Sequence, residues 1–266
     1  MLSTVLAAFD WDIFWHRIFT GDGTFWLALW RTVYIAVLAQ ILGVALGLVA
    51  ALMRMSRLFV LRALSNAYTL VFRGTPVIVQ IFYVYLAINI LLGVTVIPNE
   101  LNFGLFKMPG AAFAGILALG INEGAYMREI IRAGIDSIER GQMEAAKSLG
   151  MRYGLAMRRI VLPQAARVIV PPLGNEFNNM LKTTSLLAFI GVTELFQDAE
   201  IHYSQNFKPV EYFTAVAFWY LVLTTLWSFV QAWIERKLAA SERGDELSFR
   251  ERMAAAWSPV GAWARR

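Results

Sequence analysis

The chain has no cysteine and only two histidines, His16 and His202, far apart in the sequence. Disulfides and thiol chemistry are excluded, and the usual metal-ligand spacings (HxxxH, CxxC, a paired carboxylate cluster) do not occur, so no metal site is expected. There is also no GxxxxGK[ST] phosphate loop, so any ATP that drives this protein is bound by another chain. Charge is scarce: 16% of 266 residues, against 58% hydrophobic, with mean hydropathy +0.53. That is too apolar for a soluble domain of this length and points to several membrane spans. The amino terminus lacks a basic stretch ahead of a long apolar core, which argues against a cleaved signal peptide.

Five stretches carry the apolar residues. Residues 25–52 form the first; residues 32–53 are free of charge, enough helix to cross ~30 Å of hydrocarbon. Trp26 and Trp30 stand at one end, as interfacial aromatics do, and Gly43 and Gly47 make a GxxxG that permits close helix approach. The second stretch is residues 68–92, where Pro76 predicts a kink or break. The third starts near Ala111 and carries Gly115, Gly120 and Gly124. The fourth, residues 168–192, has Pro171 and Pro172 in its first turn. The fifth, residues 212–234, is uncharged. Ahead of them, Phe9, Trp11, Phe14, Trp15 and Ile18 suit one face of a short interfacial helix, or a loosely held arm. The expected organisation is an amino-terminal arm over 1–24, a five-span body over 25–240 and a basic tail over 241–266. Trp257 and Trp263 fall in that tail.

Five spans place the termini on opposite sides, and lysine plus arginine counts decide which is inside. Segments 54–62, 128–167 and 236–266 carry 3, 8 and 7, a total of 18; segments 1–24, 93–110 and 193–211 carry one each, Arg17, Lys107 and Lys208. The expected orientation is amino terminus outside, carboxyl terminus in the cytoplasm, with the polar segment between the third and fourth spans cytoplasmic.

That segment, residues 141–164, reads GQMEAAKSLGMRYGLAMRRIVLPQ. Its composition around Glu144 favours helix, Gly150 permits a left-handed stop, and Pro163 suits the first turn of a new helix. Glu-Ala-Ala, three residues, Gly, nine residues, then Ile-x-Leu-Pro resembles the EAA loop of the membrane subunits of ATP-binding-cassette importers at every position. Phe72-Arg73-Gly74-Thr75-Pro76 with Gln80, residues 172–177 (PLGNEF) and Leu181-Lys182-x-Thr184-Ser185-Leu186 look like the branch that carries histidine, arginine, glutamine and glutamate. The resemblance covers about residues 24–237. It implies an all-α integral membrane protein of the type I importer kind: five transmembrane helices per subunit, a cytoplasmic coupling helix, and a bacterial inner-membrane location. It implies homo- or heterodimeric pairing with a second permease, two ATPase subunits that bind ATP and Mg, and an extracytoplasmic solute-binding protein. No cofactor and no nucleic-acid partner are expected for this chain. Gly141, Glu144, Ala145, Ala146, Gly150, Leu162 and Pro163 are the expected ATPase-coupling residues, with small alanines letting the helix sit in a groove and Glu144 complementing the helix dipole.

Charged groups at mid-membrane are costly and face a cavity or a partner. Asn122, Glu123 and Tyr126 of the third span and Lys182, Thr183 and Thr184 of the fourth are the expected substrate-binding set. A zwitterion needs an acceptor for its ammonium and donors for its carboxylate. Glu123 and Lys182 neutralising each other as a buried pair is the alternative. Glu176 and Arg73 are read as structural, Arg73 pairing with headgroups or a nearby acid. An ion-coupled secondary transporter is the rival function, though such proteins show internal repeats and five unequal spans show none. A purely structural membrane subunit is the third reading.

Overall fold

A computed structural model describes residues 9–93, 95–102, 104 and 107–240. The expected basic tail, 241–266, lies outside the described residues. The described residues are helical almost throughout. A short helix α1 (Trp11–Trp15) runs through a π turn (His16–Thr20) to α2 (Gly23–Met55), α3 (Phe59–Gly74), and α4 (Val77–Phe82), which continues through a second π turn into α5 (Ile88–Leu92). A two-stranded antiparallel hairpin, β1 (Glu100–Asn102) and β2 (Lys107–Pro109), leads to α6 (Gly110–Asp136). Then come α7 (Arg140–Ser148), α8 (Tyr153–Ala156), α9 (Leu162–Thr183) with a 3₁₀ extension (Thr184–Ile190), α10 (Leu195–Asn206) and α11 (Pro209–Ala240).

The central contact is between α2 and α6, which run parallel. Gly43 faces Glu123, and a Cβ built on Gly43 would stand 2.5 Å from the Glu123 Cγ. One turn on, Gly47 abuts the Met127 Cβ. From the other side, a Cβ on Gly120 would meet Leu42 Cδ2 at 2.7 Å, and one on Gly124 would strike the Tyr68 hydroxyl. Four glycines on two helices therefore bring the backbones together, the use of small residues that helix pairs in lipid depend on.

Among the described residues, only α2 and α11 are long and apolar enough to cross a membrane on composition, with α3 and α4–α5 as a third span broken by a 106° bend. The bend falls at Thr75–Pro76, so the second span is two helices at a steep angle. At 1.5 Å per residue, α6 and α9 also have the length to cross, but polar groups that line a cavity lower their hydropathy. Pro171 and Pro172 lie inside α9, not in its first turn, because the helix starts six residues earlier than the apolar run, at Leu162 with Pro163 in its first turn. Gln231 of α11 donates from Nε2 to Pro171 O at 3.2 Å, tying α11 to the proline pair.

From residue 9 onward the amino-terminal arm is held by hydrogen bonds to α11. Asp10 N donates to Glu211 Oε1 at 3.0 Å, and Trp219 Nε1 to Arg17 O at 3.3 Å. Trp11, Trp15 and Phe19 stack along its outer face, while Ile18 turns inward with 5% exposure, so the expected single face of Phe9, Trp11, Phe14, Trp15 and Ile18 is divided. At the same end, Glu194 caps α10. It is fully buried, accepts from Gln197 N at 2.9 Å and takes the Tyr220 hydroxyl at 2.8 Å. Burial pushes its carboxyl up to about 7, against the lowering effect of those donors.

Two predictions follow from packing and burial. Gly47→Leu should cost about 1–3 kcal/mol or more through overpacking, and thermal unfolding in detergent should show it, whereas Gly23→Ala, with nothing within 4 Å of the added carbon, should leave the midpoint unchanged. Glu194 has a folded-state pKa raised above its ordinary value of 4.5. The stability it contributes is thus complete below 4.5 and is lost as pH rises through about 7. Glu194→Gln keeps the acceptor oxygen and should remove that segment of the pH–stability curve; an unchanged wild-type-like decline in the variant would refute the assignment.

Candidate functional site: a cavity under a broken helix

The site begins with a backbone problem. A helix that stops at Gly74 leaves carbonyls without partners, and inside a bilayer these must be satisfied by protein. Gln80, one turn past the break, donates from Nε2 to Phe72 O (2.9 Å), Thr75 O (3.1 Å) and Thr75 Oγ1 (2.8 Å). Asn122 of α6 completes the arrangement, donating to Phe72 O at 2.8 Å and to Gln80 Oε1 at 3.0 Å. The Arg73-Gly74-Thr75-Pro76 break and Gln80 are thus one structural unit, locked to α6.

Below the break is a cavity of about 430 Å³. Thr75, Pro76 and Val77 form one wall, Leu119, Asn122, Glu123 and Tyr126 of α6 a second, and Glu176, Asn179, Met180 and Thr183 of α9 a third. Spacings of three, four and seven residues put the α6 set and the α9 set each on one helix face. Two carboxylates, Glu123 and Glu176, are in the lining, and no lysine, arginine or histidine is. Glu123 is 5% exposed and receives Gln40 Nε2 at 3.3 Å. A cavity this size fits one amino-acid-sized solute, and its charge is of one sign, which favours a cation.

Of the six expected substrate-binding residues, Asn122, Glu123, Tyr126 and Thr183 line the cavity. Lys182 does not: it is exposed in the last turn of α9, about 120° around the helix from Glu176, so the Glu123–Lys182 pairing is not formed. Thr184 is fully buried, its hydroxyl donating to Leu181 O at 2.8 Å, away from the lining. Glu176, read as structural, is a lining residue. Its spacing to Asn179 and Thr183 was the signal that would have found it. Arg73 pairs with no acid among the described residues; its guanidinium carbon stands 5.0 Å from the centroid of the Tyr126 ring.

At the far end of α6 lies α7. Gly150 ends it with φ +78°, Gly150 N bonding Lys147 O at 2.9 Å and Met151 N bonding Ala146 O at 3.1 Å, the left-handed stop the sequence predicts. Glu144 and Ala145 are exposed, and Gly141, Leu162 and Pro163 are exposed around them. Ala146 is 1% exposed, turned into its own chain, so it is not available to a groove of another protein. Its small size serves the packing of α7.

On the opposite side of the molecule, Arg17 is buried between α2, α10 and α11. It reaches Asp198 at 3.3 Å and Asp22 at 3.4 Å, and His202 stands 3.5 Å from Asp22. Asp22, Asp198 and His202 converge closely enough for metal ligation, a juxtaposition the linear spacing hides, but the knot already holds a cation in Arg17. Burial opposes charge on Asp22, yet the Thr24 hydroxyl, the Phe25 amide and Arg17 hold it down to about 2.

Bundled helices, a broken span and a polar cavity between them define a membrane subunit that passes a small solute. A family model described as "Binding-protein-dependent transport system inner membrane component" matches residues 43–240. The chain belongs to that family. It is 39% identical over 258 residues to the arginine transport system permease protein ArgU of Corynebacterium glutamicum, covering 94% of this chain and 77% of that one. It is 36% identical over 243 residues to the L-cystine transport system permease protein TcyB of Bacillus subtilis, covering 88% and 94%. Among solved structures, an amino acid ABC transporter crystallised with histidines matches with TM-score 0.69 at 37% identity, covering 80% of this chain and 94% of that one. The fold is that of type I ABC importer permeases, and the chain is a transporter subunit of the amino acid ABC permease kind, not an ion-coupled carrier.

Proposed function

We propose that this chain is the permease of an ATP-driven importer of polar amino acids, and that its cavity selects those with a cationic side chain. The observation that carries the reading is the lining: Glu123 and Glu176 with no basic group. In a low-dielectric wall two carboxylates without a counter-cation favour a ligand that supplies one. Asn179, Thr183 and Thr75 offer hydrogen-bonding partners for the remaining polar atoms. The names of the arginine-transport relative and the histidine-bound structure support the same class.

The assembly in this reading has α7 in the cytoplasm against an ATPase subunit that binds ATP and Mg. The knot around Arg17 lies on the outer side, where a solute-binding protein delivers substrate, and a second permease, identical or different, completes the pair. The amino terminus is outside and the carboxyl terminus inside, as the distribution of basic residues supports. Residues Gly141, Glu144, Ala145 and Gly150, with Leu162 and Pro163 behind them, form the docking region.

Transport by the reconstituted complex tests both halves. Glu176→Gln should reduce uptake of arginine or lysine about tenfold, ~1.4 kcal/mol, with a smaller loss for glutamine; equal losses for all three would count against cation selection. Ala145→Arg places a long charged side chain on the exposed face of α7 and should abolish copurification with the ATPase while leaving the permease inserted and folded. Wild-type association and uptake in that variant would remove α7 from the interface.

A further inference from the structure

The ring of Tyr126 has a second neighbour that the cavity does not explain. Arg73 is the last basic residue of α3, immediately before the break. Helical side chains lean toward the amino terminus of their helix, and α3 rises from the end of the molecule that carries α7. The guanidinium therefore reaches back toward that end, to 5.0 Å from the Tyr126 ring centroid. It is exposed, with no acid paired to it among the described residues.

Tyr126 is the lining residue of α6 closest to α7, one turn beyond Asn122, and Glu176 is its counterpart on α9. Tyr126 therefore stands on the wall of the cavity that faces α7. A guanidinium on an aromatic face is an attraction strong enough to favour one ring position and weak enough to be broken in each cycle. Arg73 does not line the cavity, so it acts through Tyr126 as a positioning residue. The backbone beside it is bent, the helix ending at Gly74 and the next beginning after Pro76 at a 106° angle, and Phe72 O is held by Asn122, so the freedom at this point is in the long Arg73 side chain.

We propose that Arg73 and Tyr126 form a cation–π latch that closes the cavity on the side of α7, opening when the Arg73 side chain swings off the ring. The inference rests on the reading of this cavity as the solute path. It adds a gate whose parts are an aromatic wall and a tethered cation outside it. A cationic solute fits this device, because it brings to the ring the same kind of group that Arg73 withdraws.

The absence of cysteine gives a direct test. Thr183→Cys puts a single thiol at the end of the cavity away from α7. In the full complex reconstituted without nucleotide, a methanethiosulfonate carrying a quaternary ammonium is applied from the α7 face and the rate of modification is read. Tyr126→Leu and Arg73→Gln should each raise that rate at least tenfold, while Tyr126→Phe and Arg73→Lys, which keep the ring and the cation, should stay within about twofold of the parent. Tyr126→Leu retains the positive charge of Arg73, so an increase there is not an electrostatic effect on the reagent. Unchanged rates in Tyr126→Leu and Arg73→Gln, with the thiol reactive from the opposite face, would overturn the latch and leave the cavity assignment standing. A thiol unreactive from both faces in every variant would overturn the cavity assignment and the latch with it.

Discussion

The close approach of α2 and α6 is the constraint on which the rest of this structure depends. In lipid, apolar side chains gain little by leaving the solvent, so a tight helix pair must come from shape. Gly43 and Gly47 leave the space that the Glu123 and Met127 side chains occupy, and Gly124 leaves the space for the Tyr68 hydroxyl. That hydroxyl then donates to Ile121 O at 2.5 Å, tying α3 to the same stretch of α6. The glycines therefore do more than hold two helices. They set where Glu123 stands, put Gln40 against it, and bring the end of α3 to Asn122. Adding a single methyl group at Gly43 would move the acidic wall of the cavity.

The second constraint is hydrogen bonding at the break. An unanswered carbonyl in hydrocarbon costs several kcal/mol, and the break at Thr75–Pro76 creates more than one. Gln80 and Asn122 meet them with side-chain amides, which is why a polar glutamine and asparagine are tolerated at that depth. Asn122 is accordingly committed on its donor side to the protein, and its oxygen is what it can offer a solute. The break, the amides and the cavity form one arrangement: straightening the helix would remove both the need for the amides and the space beneath Pro76.

Much of this was legible in the sequence, and the failures are physical. The apolar stretches, the GxxxG, the Gly150 stop and the break at Pro76 rest on local chemistry, and local chemistry is what a sequence displays. Lys182 shows the limit. Being near the centre of a predicted span says nothing about which way a side chain points, and α9 begins at Leu162, so depth counted from residue 168 was displaced. Glu176 was passed over for the same reason, although its helical phase with Asn179 and Thr183 was available. Ala146 looked like a docking residue because it is small, but small residues serve packing within a chain as readily as packing between chains. The knot of Arg17, Asp22, Asp198 and His202 joins segments more than 170 residues apart, and no spacing rule reaches that far.

The path from α7 to the cavity is short and continuous. Met143 of α7 packs against a cluster formed by Met127, Ile131 and Ile135 of α6 with Ala51 of α2 and Val161 and Ala165 around the start of α9. Met127 adjoins Tyr126, and its sulfur is 3.8 Å from Gln40 Nε2, the same nitrogen that bonds Glu123. A push on α7 is thus delivered to a well-packed region whose next turn is the cavity wall, and packed cores shift between arrangements more readily than they deform smoothly. In the proposed assembly this makes α6 the transmitting element. It carries the coupling contact at one end, the aromatic and acidic lining at its middle, and the glycines that seat it against α2. The Gln40 Oε1 atom is buried at this seam and without a hydrogen-bond partner among the described residues. The Gln40 amide nitrogen ties α2 to Glu123 of α6 while that oxygen has no such partner, so the amide meets only half of its hydrogen-bonding capacity in this arrangement.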